Sequence, residues 1–419
     1  HTNGLTNAKR YLQFVLSNDK KPDPKVSLYL AKVYHAELDY RNAIKFYKEY
    51  LRQTVKGEGR LRAGVKDDIR RCATAIRLDS QEEIAIVENL GDKVNTIYDE
   101  FAPIISPNYE NKIYFSSARN TAMGGPRANN GFADERYGFY RSDMYSYVVV
   151  NGEWTGTEPF GSLLNSARND MILDFSELGS VMYFYKGNDF FSGEILVDSF
   201  SKTEQNLFPT SFNGPLSAEE GDRDLFFFKD SIILFSSFRA GGKGGRDLYV
   251  SNFSNGQWSL PKNLGGNINS AYDECAPYLS KDGRTLYFSS NNPNSIGGLD
   301  IFKARYDDNT LSWSEPVNLG KPINSAGEDS FFRLSEDGLK AFFSSSRKND
   351  GLGERDLYVA YFKGYQNEQR KVSIPIAFNF VPEFKRRQNE GTLVLSTPGL
   401  PQNSGGIDTN VPVYSETEI

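Results

Sequence analysis

Apolar residues near the start of the chain recur at helical spacing, with polar residues between them. This pattern predicts one helix over residues 5–17, then a helix, a turn and a second helix over residues 26–55, and a further helix over residues 65–78. Prolines separate the first two segments, because proline interrupts a helix. We therefore expect a helical domain at residues 1–83.

The two helices of residues 26–55 have the spacing of a tetratricopeptide unit. Small residues recur where the paired helices of such a unit touch, and aromatic residues fill the gaps between turns: Ala31, Tyr34, Ala43, Tyr47 and Tyr50. We interpret the segment as one tetratricopeptide-like unit with helical flanks. The groove of such units commonly binds a peptide or a partner helix.

Beyond the helices the pattern changes to short strands in a repeat of 55 residues. The Asn-Leu-Gly of residues 263–265 recurs 55 positions later at 318–320, and the motif at 279–283 recurs at 334–338. The Asp-Gly pair of the second motif predicts a hairpin. Four short strands in each repeat are typical of a propeller blade. Five units can be counted, so the sequence predicts a β-propeller of about five blades over residues 88–365.

Each unit carries two further signatures after its hairpin. A Phe-Ser-Ser strand is followed, four residues after the phenylalanine, by an arginine in three units: Arg119, Arg239 and Arg347. A glycine-rich loop then leads into an Asp-apolar-aromatic strand, which begins at Asp143, Asp247, Asp300 and Asp356. The second unit, residues 165–200, keeps an aromatic strand but lacks the serines.

Charge divides the chain into two parts. The net charge is −6, but residues 1–75 hold 16 Lys and Arg against 8 Asp and Glu, whereas the remainder holds 32 against 46. A basic helical head on an acidic body indicates two domains with different partners. We do not expect nucleic acid as a partner, because the acidic body would repel phosphate.

The inventory of reactive side chains argues against an enzyme. The two histidines are His1 at the terminus and His35 inside a predicted helix, which excludes a Ser-His-Asp arrangement or a histidine metal site. Cys72 and Cys275 lie in different predicted domains, so no disulfide framework is expected. No cofactor is expected either, since the glycine-rich loop at 241–245 lacks phosphate-loop spacing. No apolar run has the length of a membrane span, roughly 20 residues.

Acidic residues recur just before the inner strand of each unit. We select one from each as a candidate site: Glu100, Asp170, Asp224, Glu274 and Asp329. Equivalent positions of a propeller form a ring about its axis, so these carboxylates could bind a cation or a partner. They could also supply the acid and base of a glycosidase.

A structural role is the alternative for the same carboxylates. Paired with Arg119, Arg239 and Arg347, they would form ion pairs between blades and cap exposed backbone. Catalytic carboxylates must differ from one another in pKa, so repetition in every unit favours structure. We assign the same structural role to the aspartates that begin the Asp-apolar-aromatic strands.

The repeat resembles the TolB-type propeller repeat, also called PD40, most clearly at residues 277–283. A tetratricopeptide head, such a propeller and a β-rich segment occur in the same order in OmpA-family proteins of Bacteroidota. Here residues 371–419 are predicted to be a β-rich segment or the start of a regulatory-like β-sandwich. That family includes PorE-like proteins of type IX secretion and gliding. The resemblance implies a periplasmic, outer-membrane-associated protein whose C-terminal OmpA-like domain holds peptidoglycan. No peptidoglycan motif precedes Ile419, so that contact is expected only through a region not present here.

The sequence therefore predicts a non-enzymatic scaffold that links secretion or gliding machinery to peptidoglycan, with other envelope or secretion-machinery proteins as partners. Two alternatives remain: a glycan-binding or glycoside-hydrolysing five-bladed propeller, and a TolB-like envelope-integrity factor. We expect the binding surface where units differ, at residues 118–141, in the second unit and at residues 201–220. The abrupt start at His1 and end at Ile419 indicate a segment of a longer protein.

Overall fold

A computed structural model describes nine stretches of the chain: residues 2–54, 59–109, 111–127, 138–150, 153–154, 156–189, 192–199, 209–217 and 219–364. The first of its elements are the helices α1 (Thr2–Asn18), α2 (Pro24–Ala36), α3 (Tyr40–Gln53) and α4 (Gly59–Leu78). They confirm the helices expected from the apolar spacing. The tetratricopeptide-like assignment stays a prediction, and the β-rich segment expected at 371–419 lies outside the described residues.

Local sequence explains where α2 and α3 begin. The carboxylate of Asp23 accepts a hydrogen bond from Lys25 N at 2.8 Å, and that of Asp39 accepts one from Asn42 N at 3.2 Å. Such N-caps satisfy backbone N–H groups that have no partner within the helix. Ala31 and Ala43 are fully buried between the helices. Their small side chains let the two helices approach closely.

The strands form five sheets, which are the five blades of a propeller. Strand β1 (Ala85–Asn89) comes first in the chain. Blade 1 contains β2 (Glu100–Ile105), β3 (Lys112–Ser117), β4 (Asp143–Val150), β5 (Glu153–Trp154) and β6 (Glu158–Pro159). Blade 2 contains β7 (Asn169–Phe175), β8 (Val181–Gly187), β9 (Glu194–Ser199) and β10 (Thr210–Ser211). Blade 3 contains β11 (Arg223–Phe228), β12 (Ile232–Ser237), β13 (Asp247–Ser254), β14 (Gln257–Trp258) and β15 (Lys262–Asn263).

Blade 4 contains β16 (Glu274–Leu279), β17 (Thr285–Ser290), β18 (Asp300–Asp307), β19 (Ser312–Trp313) and β20 (Val317–Asn318). Blade 5 contains β21 (Asp329–Leu334), β22 (Lys340–Ser345), β23 (Asp356–Phe362) and, as its outer strand, β1. Five inner strands contact one another between neighbouring blades and so surround the axis: β2, β7, β11, β16 and β21. The predicted propeller of about five blades is confirmed at five.

The last blade is built from both ends of the propeller sequence. Strand β1 pairs antiparallel with β23, in a register that joins Ala85 to Phe362 and Asn89 to Tyr358. The strand that closes the ring thus begins at Ala85, whereas the sequence analysis begins the propeller at residue 88. Blade 2, whose sequence is degenerate, still forms a complete four-stranded sheet.

Hairpin turns and stacked aromatic rings explain the repeat. The Asp-Gly turns place Gly283 and Gly338 at φ angles of 66° and 69°, a region that favours glycine. The phenylalanine of each Phe-Ser-Ser strand is buried and stacks on an aromatic ring of the next strand. These pairs have ring centroids 5.7 to 6.0 Å apart and are Phe115–Tyr145, Phe235–Tyr249, Phe288–Phe302 and Phe343–Tyr358. Each repeated aromatic therefore fills the same place in its blade.

The helices pack on blades 4 and 5. Ile296, in the loop that enters β18, is fully buried within the apolar core of the helices. His35 Nε2 donates to the carbonyl oxygen of Ile296 at 2.8 Å. Tyr272 donates its hydroxyl to Asp67 of α4 at 2.9 Å. Lys321, in the connection from blade 4 to blade 5, forms an ion pair with Asp79 at 2.9 Å. Among the described residues, no helix combines the length and the apolar character needed to cross a membrane.

Candidate functional site

Glu100 shows how a repeated carboxylate is held. It begins β2, is fully buried, and accepts hydrogen bonds from Thr96 N at 2.8 Å and Ser117 Oγ at 2.6 Å. Arg119 Nη2 lies 3.3 Å from its Oε1. Burial raises the pKa of Glu100, and the Arg119 guanidinium opposes that rise. The carboxylate is therefore engaged by its own blade.

Two more repeated acids are held in the same way. Asp329 accepts from Ser325 N at 2.6 Å and from Arg347 Nη2 at 3.1 Å. Glu274 accepts from Ser270 N and from Ser290 Oγ, both at 2.8 Å. Blade 4 has an asparagine at the position of the arginine, and burial raises the pKa of Glu274. Both side chains are fully buried.

The repeated acid of blade 3 is Asp222, which corrects our choice of Asp224. Asp222 accepts hydrogen bonds from Ser217 N at 2.9 Å and from Arg239, the partners that the repeat requires. Asp224 lies two residues further on, at a φ of 54°, where the inner strand bulges. It accepts from Ser236 Oγ at 2.7 Å. The two acids therefore have different structural positions.

The repeated arginines correct a second expectation. Their ion pairs lie within a blade, not between blades, because each arginine follows the second strand and reaches back to the start of the first. Arg119 also donates to Val94 O at 2.9 Å, and Arg347 donates to Ile323 O at 2.6 Å. These carbonyls belong to the connection that arrives from the preceding blade. Each of these two arginines thus fastens that connection to its own blade.

The aspartates of the Asp-apolar-aromatic strands organise the glycine-rich loops. Asp247 accepts from Lys243 N and from Asn263 Nδ2, both at 2.7 Å. Asp300 and Asp356 are buried in the same arrangement, with Asn318 and Asn89 as the amide donors. Asp143 accepts a backbone hydrogen bond from Met123 N at 2.7 Å, and blade 1 has Pro159 at the position of the asparagine.

Four asparagines have a structural role that was not predicted from the sequence. They lie in the connections between blades and bind the backbone of a third strand: Asn95, Asn165, Asn269 and Asn324. In one example, Asn269 Oδ1 accepts from Leu248 N at 2.8 Å and its Nδ2 donates to Leu248 O at 2.9 Å. The sequence Asn-Ser-Ala, which recurs at residues 165–167, 269–271 and 324–326, was the available signal.

No group of three or more His, Cys, Asp or Glu side chains within the described ranges could hold a metal ion. The repeated acids direct their hydrogen bonds into their own blades; they are Glu100, Asp170, Asp222, Glu274 and Asp329. They therefore do not converge on a common ligand.

A funnel of about 780 Å³ opens where the inner strands begin. Its floor is apolar, and the rings of Phe101 and Phe331 lie 6.4 Å apart there. Its walls carry opposite charges in pairs. Arg355 of blade 5 donates to both oxygens of Asp99 of blade 1 at 2.6 Å, and Arg246 lies 3.2 Å from Asp224. The first pair joins the adjacent blades 5 and 1, whereas both members of the second belong to blade 3.

Two segments outside the repeat border this funnel. Arg71 of α4 lines the mouth and donates to the carbonyl oxygen of Asn291. Arg127, from the insertion in the first unit, donates to Asn169 Oδ1 at 2.6 Å. The helices and the insertion thus share one face with the funnel. Residues 128–137 of the insertion, and 201–208 and 218 of the predicted variable loop, lie outside the described residues.

Comparisons with known proteins give a likeness of fold. No protein-family model matches the chain, and no curated protein matches it. The similar solved structures include TolB-like propellers. TolB from Acinetobacter baumannii is 16% identical with a TM-score of 0.33, over 60% of this chain and 53% of that one. A putative TolB from Agrobacterium tumefaciens is 16% identical with a TM-score of 0.36, over 68% and 100%.

An α-L-arabinofuranosidase from Podospora anserina, in complex with cellotriose, is also similar. It is 11% identical with a TM-score of 0.42, over 68% of this chain and 98% of that one. With identities and TM-scores this low, none of the likenesses carries an argument about function. The five-bladed architecture rests on the strand pairings themselves.

Asp170 makes the stability of the protein depend on pH. It is fully buried in blade 2, with Lys186 Nζ at 3.6 Å in place of an arginine. Burial raises the pKa of Asp170 from 3.8 to about 6, although Lys186 lowers it. The folded protein therefore holds a proton that the unfolded chain has lost. The contribution of this group to stability falls as pH rises through that interval.

We expect Asp170→Asn to remove this dependence. Relative to the wild type, the variant should gain about 3 kcal/mol of unfolding free energy between about pH 4 and about pH 7. Urea unfolding across that range measures the difference. Asp308→Asn, at a more exposed acid, serves as the control. A constant difference between wild type and Asp170→Asn would contradict the prediction.

Proposed function

We propose that this protein is a non-enzymatic interaction protein of the cell envelope, which binds partner proteins at the face shared by the funnel and the helices. The observation that carries the proposal is the local engagement of the repeated carboxylates. Each is buried and hydrogen-bonded within its blade. The repeated carboxylates therefore stabilise the propeller as a rigid platform and do not present reactive groups to a ligand. Binding would then depend on the non-repeated residues at the mouth.

Two features support a platform. The helices contact blades 4 and 5 through Ile296, His35 and Lys321, so they hold a defined position beside the funnel. The mouth combines an apolar floor with charged walls, the composition of many protein-binding surfaces. A partner that contacted both parts would meet a large, pre-formed surface.

We further propose where the protein is located in the cell and which proteins it binds. The TolB-type repeat and the domain order support a periplasmic protein associated with the outer membrane. Its partners would be proteins of the type IX secretion or gliding machinery. Contact with peptidoglycan would require a region outside this chain. An envelope-integrity role like that of TolB differs from this proposal only in the partner.

Site-specific photocross-linking tests the platform. A photoreactive residue at Glu354, which is exposed on the funnel rim, should capture envelope proteins in cells. The matched control is Leu178, which is 77% exposed in the turn between β7 and β8, at the other end of the blades. Capture of the same proteins from both positions, or of cytoplasmic proteins alone, would contradict the proposal.

A hydrolysis assay tests the glycosidase alternative. Funnel acids such as Asp99 and Asp224 are engaged by Arg355 and Arg246. We therefore expect the wild type to leave arabinan and xylan intact. Release of sugar that disappears in both Asp99→Asn and Asp224→Asn would overturn the non-enzymatic proposal.

A further inference from the structure

A groove of about 650 Å³ lies between α2 and α4. Its floor is apolar and contains Leu28 and Val65, which are only 4% and 1% exposed. Leu61 borders this floor and is 38% exposed. An apolar side chain of another molecule that entered the groove would contact Leu61 and cover the floor.

Gly64 lies in the interior of α4 and lines the groove. Glycine destabilises a helix interior relative to alanine, so a glycine there usually has a packing or a functional reason. Beyond the neighbouring turns of α4, no atom of the described residues lies within 4 Å of the position that a Cβ would occupy. Packing within the protein thus does not require this glycine. It leaves the backbone of α4 open to close approach by a bound chain.

The charges along the groove are mainly positive. Lys32 of α2 and Arg60 of α4 are exposed on its two walls. Among the described lining residues, the remaining charged groups are Asp68 and Arg71, which form an ion pair at 2.8 Å. Three basic residues against one acidic residue leave an excess of two positive charges. An acidic ligand would therefore be attracted to both walls.

The groove meets the funnel at Arg71. This side chain lines both of them, and it donates to the carbonyl oxygen of Asn291 in blade 4. Docking of the helices on blade 4 through Ile296 holds the two sites in a fixed arrangement. A polypeptide that occupies the funnel can therefore continue past Arg71 into the groove.

We propose that the groove binds an acidic segment of the partner protein that occupies the funnel. An apolar side chain of the segment lies on the floor, and its carboxylates pair with Lys32 and Arg60. Interfaces commonly combine a buried apolar anchor with charged groups at the rim, which give specificity. The inference rests on the proposed function for the partner, and it adds the chemistry of the bound segment and the residues that select it.

The charge of the neighbouring funnel limits the choice of ligand. Its described lining contains five arginines and five acidic residues, so it attracts neither sign of charge overall. A protein with a short acidic segment matches a positive groove beside a balanced funnel. A uniformly charged polymer such as nucleic acid does not, because residues 76–419 carry an excess of fourteen acidic residues that would repel it.

Fluorescence anisotropy with the whole chain tests the groove. The probe is a short synthetic peptide, labelled with fluorescein, in which single leucines alternate with pairs of aspartates. It should bind, and added salt should weaken the binding because exposed charges contribute to it. Two comparison peptides should bind more weakly by about tenfold or more: one with lysine in place of aspartate, and one with serine in place of leucine.

Two changes in the groove should weaken binding of the probe. Lys32→Glu with Arg60→Glu reverses the charge of both walls, so we expect a loss of about tenfold or more. Gly64→Leu places a side chain in the open space of the groove and should cause a similar loss. Leucine favours a helix more than glycine does, so the melting temperature of this variant should not fall. A loss of binding without a loss of stability cannot be attributed to misfolding.

Matched changes on other helices serve as controls. Arg41→Glu with Lys45→Glu makes the same change in charge on α3, where both residues are exposed and neither lines the groove. Gly4→Leu makes the same substitution in α1, also at an open position. Both controls should bind the probe like the wild type.

Three outcomes would overturn the inference: no binding of the acidic probe, binding of the lysine peptide with equal strength, or groove variants that bind as tightly as the controls. Cross-linking from Glu354 tests the funnel separately. Capture of envelope proteins there without peptide binding would reject the groove and leave the proposed function standing. Peptide binding without capture would support the groove and reject the funnel contact instead.

Discussion

Replacing Arg347 with methionine is expected to lower the free energy of unfolding by about 3–5 kcal/mol. Arg347 is buried and donates to Ile323 O at 2.6 Å, Pro322 O at 3.0 Å and Asp329 Oδ1 at 3.1 Å. Methionine fills similar space but leaves a buried carboxylate without its cation and two carbonyls without a donor. Urea unfolding followed by circular dichroism measures the loss.

Two further variants separate the causes. Arg284→Met removes an ion pair with Asp308 that is partly exposed, so we expect a change of at most about 1 kcal/mol. Adding Asp329→Asn to Arg347→Met should recover part of the stability, because it removes the uncompensated charge. Equal stability of Arg347→Met and Arg284→Met would mean that the buried pair does not hold blade 5 together.

Removing β1 is expected to have the largest effect. A chain that starts at residue 84 keeps the strand that pairs with β23, whereas a chain that starts at residue 91 lacks it. Without β1, the outer edge of β23 exposes unpaired backbone groups that promote aggregation. We expect a monomer with one cooperative thermal transition from the longer chain, and aggregated material from the shorter one.

The comparison isolates β1 because both chains lack the helices and expose Ile296 equally. Size-exclusion chromatography and scanning calorimetry provide the readout. A monomeric product from both chains, with the same transition temperature, would show that the ring does not need its closing strand. Aggregation of both would assign the main stabilising role to the helices.

The repeat made most of the propeller predictable. The aspartates of the Asp-apolar-aromatic strands recur in four blades and the arginines in three, because similar hydrogen bonds recur in those blades. Asp222 could not be selected over Asp224 in this way. In blade 3 the acid lies five positions after Ser217, whereas Glu274 lies four positions after Ser270. A single added residue shifts the alignment without changing the composition.

The sequence did not predict some contacts between separate parts of the chain. The loop of blade 4 resembles the other glycine-rich loops, and nothing in its pattern shows that Ile296 would enter the core of the helices. The ion pair of Asp99 with Arg355 was missed for a different reason: it joins neighbouring blades, and its members lie 256 residues apart. A counterpart joins blades 3 and 4, where Arg246 Nε lies 3.9 Å from Asp273 Oδ1.

The pairing of β1 with β23 also sets the order of events during synthesis. Ala85 is made 277 positions before Phe362, the residue it joins. A ribosome or a translocation channel delivers the chain from its N-terminus. The ring therefore cannot close until its final strand has emerged. Contacts between residues this distant in sequence also slow folding. A nascent chain interrupted before β23 has no closing partner for β1, so this contact can form only in a chain that includes β23.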